Sequence, residues 1–184
     1  MNDVARLLPP RTVLGWIALA WGVGGVVVML GSAVWRLFPI ALVPFEGGAD
    51  VTLSTVALYA ASIVLLGYSE GYRAFHRQFS PRVVARGLAL AAEPRLGHVL
   101  LAPLYCMGHF HATRRRIWTA WLVAAGIVLL VALTRAMDQP WRGAVDAGVV
   151  VGLSMGLLSI IGFSVTALAG RGLPVGPDLP REDA

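Results

Sequence analysis

Four long apolar runs, parted by short polar breaks, dominate this chain. The first extends from about Val13 to Phe38 with one charge, Arg36, near its end. The second starts near Val51, stays apolar to Gly67, and continues in a helix-compatible pattern to Phe79. The third, Ile117 to Thr134, carries no charge, and the fourth, Gly143 to Ala169, has Asp146 near its start. Each is close to the ~20 apolar residues that a membrane-crossing helix requires. Backbone groups in lipid must be paired within their own segment, and the runs lack the alternation of barrel strands. The pattern predicts an all-α polytopic membrane protein with four transmembrane helices, a single domain over 1–170 and a flexible tail over 171–184.

The breaks carry their own signals. Pro39, Pro44 and the stretch Glu46 to Asp50 predict a turn after the first helix, with Asp50 and Thr52 as candidate N-caps of the second. Ser80-Pro81 predicts the start of a new helix, and Glu93-Pro94 its end, because a residue before proline is pushed out of the α region. Within that helix Arg82, Arg86 and Glu93 share one side, which predicts an amphipathic helix lying at the headgroup level. Leu96 to Ala112 lacks Asp, Glu and Arg, but a crossing there would reverse the triple arginine that follows. The whole segment 80–116 is therefore expected to be interfacial or cytoplasmic.

Composition narrows the class further. The chain is 57% hydrophobic and only 14% charged, against ~25% charged in soluble domains, which excludes an ordinary water-soluble globule. A lone cysteine, Cys106, excludes a disulfide scaffold. The first apolar run is too long for a signal-peptide core and is expected to stay as an anchor. The net charge of +5 would suggest nucleic acid in a soluble protein. Here the basic residues flank the apolar runs, so no nucleic-acid partner is expected. All fifteen are arginine, a replacement too complete to mark one site.

Their placement sets the threading. With both termini inside, 12 arginines fall on the inner side and three, Arg36, Arg135 and Arg142, on the outer. This is a strong positive-inside asymmetry. Trp16 and Trp118 then mark the inner boundary and Trp35 and Trp141 the outer one. The expected location is the cell inner membrane, with both termini cytoplasmic.

Candidate chemistry concentrates in the inner loop. Cys106 and His109, three apart, together with His76, have the donor types of a zinc or copper site, with His98 and His111 nearby. The spacing matches no established metal motif. The same histidines could serve a b-type haem, but none lies at hydrocarbon depth in a predicted span. No cofactor is favoured. Glu70, Arg73 and Arg77 would share one helical face, with Glu70 paired to Arg73 or coupled to an ion. Arg73, Arg77, Arg114, Arg115 and Arg116 would then meet anionic headgroups, at about 1 kcal/mol each. Tyr68, Tyr72, Phe75 and Phe79 form an aromatic stripe expected to fill a packed core. Ser62, Ser154 and Ser159 have no histidine or lysine predicted at their depth to activate them, so no catalytic set emerges.

Gly148, Gly152 and Gly156, each four apart, predict close helix packing, either on the first span or on another chain. Together these features point to a non-enzymatic accessory, assembly or interaction subunit. It would contact membrane lipids, with a larger membrane complex or further copies of itself as the protein partners expected. A small ion or solute permease using Glu70 is the second expectation, and a haem- or metal-handling redox protein the third.

Overall fold

The computed structural model describes residues 9–46 and 51–180, and every described regular element is helical. Four helices are long and apolar enough to cross a membrane: Val13–Phe45, Leu53–Ala92, Arg114–Arg135 and Trp141–Leu168. Helix α1 spans Val13–Leu42, capped by the Thr12 hydroxyl, which accepts from the Gly15 N–H at 3.0 Å. It runs past the expected stop, taking Pro39 into its final turns before a short 3₁₀ turn over Val43–Phe45. Helix α2, Leu53–Leu66, is capped by Thr52, as its sequence suggests. Asp50, the other candidate cap, lies outside the described residues.

Beyond Leu66 the helix widens into a π-helical segment, Gly67–Phe79, and then tightens again into α3, Ser80–Ala92. Such i→i+5 ladders are rare, and this one changes which residues share a face. Residues four apart come into register: Tyr68 stacks on Tyr72 at 5.9 Å between centroids, and Tyr72 on His76 at 5.7 Å. Phe75 and Phe79 meet edge-on at 5.4 Å. The single aromatic stripe expected from α-helical spacing is thus split. Phe75 and Phe79 face inward, while Tyr68 and Tyr72 are exposed.

Ser80-Pro81 does not open a separate helix. The Ser80 N–H bonds to Phe75 O within the continuing ladder, and its hydroxyl donates to Gly156 O on the last helix at 3.2 Å. The end of α3 at Glu93 falls where Pro94 requires it. Nor is α3 an amphipathic surface helix. Ten of its 13 residues are buried, Arg86 among them. Small residues permit this: a methyl at Gly87 would lie 2.6 Å from Val23 Cγ2 and 3.1 Å from Leu19 Cδ1, so side chains of α1 fill the space that the glycine leaves on α3.

Two short helices follow, α4 (Leu96–Leu100) and α5 (Ala102–Met107), then α6 (Arg114–Arg135) and α7 (Trp141–Leu168). The glycine stripe of α7 is used within the chain, and against α2 and the π segment rather than α1. Gly148 faces Ser62 and Leu66, Gly152 faces Glu70 and Gly71, and Gly156 faces Phe75. Asp146 is buried and pairs with Arg142 at 3.8 Å.

Helices α1 and α7, at 30 and 28 residues, are about 45 and 42 Å long, exceeding a ~30 Å hydrocarbon layer by about 12–15 Å. The surplus belongs to a compact layer at one end, where the first half of α1, all of α3 and α5, and the last turns of α7 form the main apolar core. Loop connectivity also puts Arg73, Arg77, Arg82, Arg95, Arg114, Arg115, Arg116 and Arg171 at this end, called the basic end below. The segment expected to be a loose tail lies, over its described part, on that layer. Leu173 is buried, Thr113 N–H donates to Asp178 O at 3.1 Å, and Asp178 pairs with Arg82 at 3.0 Å. Residues 181–184 lie outside the description.

Helix α6 stands apart. Only Ala120 and Thr134 of its 22 residues are buried. At its foot Trp121 Nε1 donates to His109 O at 3.3 Å and Arg116 Nη2 to Met107 O at 3.4 Å.

Candidate functional site

The three metal-type side chains occupy three different environments. Cys106 is wholly buried, with Sγ at the α1–α3 crossing, where a methyl added to Gly22 would lie 2.8 Å away. Burial pushes its thiol up to about 12, which disfavours the thiolate that a metal binds. His109 sits edge-on to Trp121 at 5.0 Å, and burial holds it below the ordinary imidazole range. His76 is exposed on the π segment. Among the described residues no three His, Cys, Asp or Glu side chains are grouped to hold a metal. His98 and His111 do meet, at 4.6 Å between ring centroids, too close for a macrocycle between them. Tyr105 and Phe110 complete that cluster. His111 takes a left-handed backbone conformation, φ 49°, uncommon for a residue with a Cβ.

The anion-type residues divide as well. Arg73, Arg77, Arg114 and Arg115 are exposed, and Arg116 is half-buried. Glu70 is half-buried against Gly152. It does not pair with Arg73, because the wide ladder turns a residue three positions on to a different side. The ion pairs among the described residues are Arg82–Asp178 and Arg142–Asp146. The four exposed arginines therefore have no carboxylate partner there.

Arg86, placed by its sequence context on a solvated face, is instead the central polar group of the basic end. Its Nε donates to Tyr105 O at 2.6 Å and Nη1 to Pro177 O at 2.8 Å. Nη2 is shared between Phe110 O at 3.0 Å and His111 O at 3.1 Å. The guanidinium carbon also lies 4.3 Å from the Tyr105 ring centroid, in cation–π geometry. One side chain thereby gathers α3, the loop after α5 and the C-terminal segment, satisfying four carbonyls in a region otherwise apolar.

A further pairing was not legible from the sequence. His76 Nδ1 lies 2.9 Å from Ser159 Oγ, although the spans predict no histidine at that serine's depth. The π segment and its continuity with α2 bring His76 alongside the α7 turn that bears Ser159. His76 also stacks on Phe163 at 5.5 Å, extending the Tyr68–Tyr72 column onto α7. An open groove of ≈340 Å³ runs here, lined by His76, Leu158, Ser159, Gly162, Phe163 and Thr166. A second groove, ≈270 Å³, lies between α1, α3 and α7 and is almost wholly apolar.

Comparison with protein-family models, with curated proteins and with solved structures finds no match to this chain.

Proposed function

We propose that this chain is a non-enzymatic interaction subunit of a cell inner membrane, with its basic end and both termini on the cytoplasmic side. The exposed arginines of that end, Arg73, Arg77, Arg114 and Arg115, would face anionic headgroups. Their lack of carboxylate partners among the described residues supports a role toward an external anion. The 12-to-3 division of arginines supports the orientation.

The observation that carries the interaction reading is α6. It is a full-length apolar helix that the rest of the chain secures mainly at its foot. Lipid solvates such a helix adequately, so its isolation costs little, yet it leaves a helix flank free for a membrane-embedded partner. Gly126 on α6 has open space around it, as a close helix contact requires.

A photo-crosslinking residue in place of Val128, exposed on α6, tests this in native membranes, with buried Ile160 on α7 as control. A discrete adduct from position 128 and none from 160 is expected. Absence of any adduct from position 128, with the protein recovered as a lone monomer, would remove the interaction reading. Reporter fusions at both ends test the orientation separately: activity of a periplasm-dependent reporter at either end would reverse it.

A further inference from the structure

Four rings gather in the connection between α3 and α6, and two of them are imidazoles. His98, on α4, lies 4.6 Å from His111 between ring centroids, 5.4 Å from Tyr105 and 5.8 Å from Phe110. His111, on the loop after α5, lies 5.9 Å from Tyr105. The carbonyls of Phe110 and His111 are the two that share Arg86 Nη2. The residue that carries one imidazole is thus also held, through its backbone, on a permanent cation. His111 is exposed, so protons reach it from solvent. Its left-handed backbone, φ 49°, is a conformation that persists where the surrounding contacts over-determine it.

The charges around this pair are mostly of one sign. Helix α3 contributes Arg86, the connection from α3 to α4 contributes Arg95 and Glu93, and the foot of α6 contributes Arg116. Glu93 is exposed and acts on Tyr105, while Asp178 of the C-terminal segment is paired with Arg82. Helix α5 contributes Tyr105 and Cys106, both kept neutral by burial, and α1 has no titratable side chain over 13–35. Partial desolvation, and then His98, Arg86 and Arg95, hold the His111 imidazole below its ordinary range. His109, on the same loop, faces Trp121 and Arg116 instead.

We infer that His98 and His111 form a proton-operated latch on the loop 108–112. With both rings neutral they stay in contact, and the loop keeps two carbonyls on Arg86. With both charged, two imidazolium rings 4.6 Å apart repel one another and the guanidinium, and the loop is driven off. The closed loop favours the neutral rings, so the opened loop takes up protons first. Closure is therefore complete above about pH 6.5 and is lost as pH falls below it. His109 O, which receives Trp121 Nε1 at the foot of α6, belongs to this loop, so acid also loosens α6. The latch stands whether or not α6 meets a partner.

Hydrogen exchange of the full chain in nanodiscs tests this. Rates are corrected for the intrinsic pH dependence of amide exchange and compared at pH 7.5 and 5, above the ordinary carboxylate values of about 4. The reporters are the Gly108 and His109 amides, bonded to Tyr105 O at 3.0 Å and Leu104 O at 3.1 Å. Their protection in wild type should fall at least about fivefold, the factor that two unit charges 4.6 Å apart supply even in bulk water. His98→Phe keeps a ring in the cluster without its charge and should retain most of the protection at pH 5. His98→Arg supplies the charge permanently and should open the loop already at pH 7.5. His109 is unchanged in each chain, so its own titration is common to all three. No fall in wild type, an equal fall in His98→Phe, or a closed loop at pH 7.5 in His98→Arg would each overturn the latch. A second measurement needs no variant. The imidazole signals of wild type, followed by NMR, should show the pair taking up its protons in two separated steps. Independent titration of His98 and His111 at the ordinary value would overturn the coupling.

Discussion

Replacing Arg86 by methionine keeps much of the side-chain volume and removes every donor. Four carbonyls, those of Tyr105, Phe110, His111 and Pro177, lose a charged partner at once. A hydrogen bond to a charged group contributes about 1.5–3 kcal/mol, but the four are not additive, and part of the loss is recovered because the buried charge also disappears. A net destabilisation of about 3 kcal/mol follows, at the low end for breaking a buried polar network. Cys106 is the natural reporter, being wholly buried at the α1–α3 crossing that Arg86 stabilises through α5. Its reaction with a maleimide in mild detergent requires local opening, so a 3 kcal/mol loss should speed labelling by about 100-fold. Arg86→Lys keeps a charge but not the fork, and should fall between the two. If Arg86→Met labels at the wild-type rate and melts at the wild-type temperature, the guanidinium is not what holds this layer together.

Other outcomes follow from the same geometry. Gly148→Ala places a methyl 2.7 Å from Leu66 Cδ1 and 2.8 Å from Ser62 O and should cost about 1–3 kcal/mol in detergent unfolding. The same change at Gly24, which has open space around it, should leave the unfolding midpoint near wild type. Ending the chain after Gly170 removes Leu173, Pro177 and Asp178, and should speed Cys106 labelling, though less than Arg86→Met does. His109 is held below the ordinary imidazole range by burial, so the unfolded chain binds the extra proton first. Stability contributed by its neutral form is present above the unfolded value of about 6.5 and is lost as pH falls below it. Thermal midpoints should therefore drop between pH 7.5 and 5, and His109→Phe should flatten that dependence; an unchanged slope would refute the assignment.

The long apolar runs made the helices legible, since lipid solvation imposes length and composition directly on sequence. Thr52 and Pro94 fixed their boundaries by local backbone chemistry, which a linear reading captures. The stretch 67–79 escaped it, because nothing in the order of Gly67 to Phe79 announces a widened ladder, and every face assignment there assumed 3.6 residues per turn. The Glu70–Arg73 pair and the single aromatic stripe were lost for that reason, and the Ser159–His76 contact stayed hidden. Arg86 was misplaced for a different reason. Periodicity could see a charge on a helix, but not the carbonyls of residues 105–111 and 177 that would come to surround it. A fully buried arginine announces itself only through partners distant in sequence. The glycine stripe of α7 faces α2 and the π segment rather than α1, a choice of partner that depends on tertiary arrangement.

The carbonyl of Pro177 is synthesised 91 residues after the guanidinium it receives. During translation, α1, α2 and α3 leave the ribosome well before the segment that closes over them, and α6 and α7 must enter the bilayer in between. The core at the basic end therefore matures last, once α7 and the segment that follows it have been made. A nascent chain stalled before that point would hold Arg86 short of one of its acceptors, a defect that quality-control proteases could sense from the aqueous side.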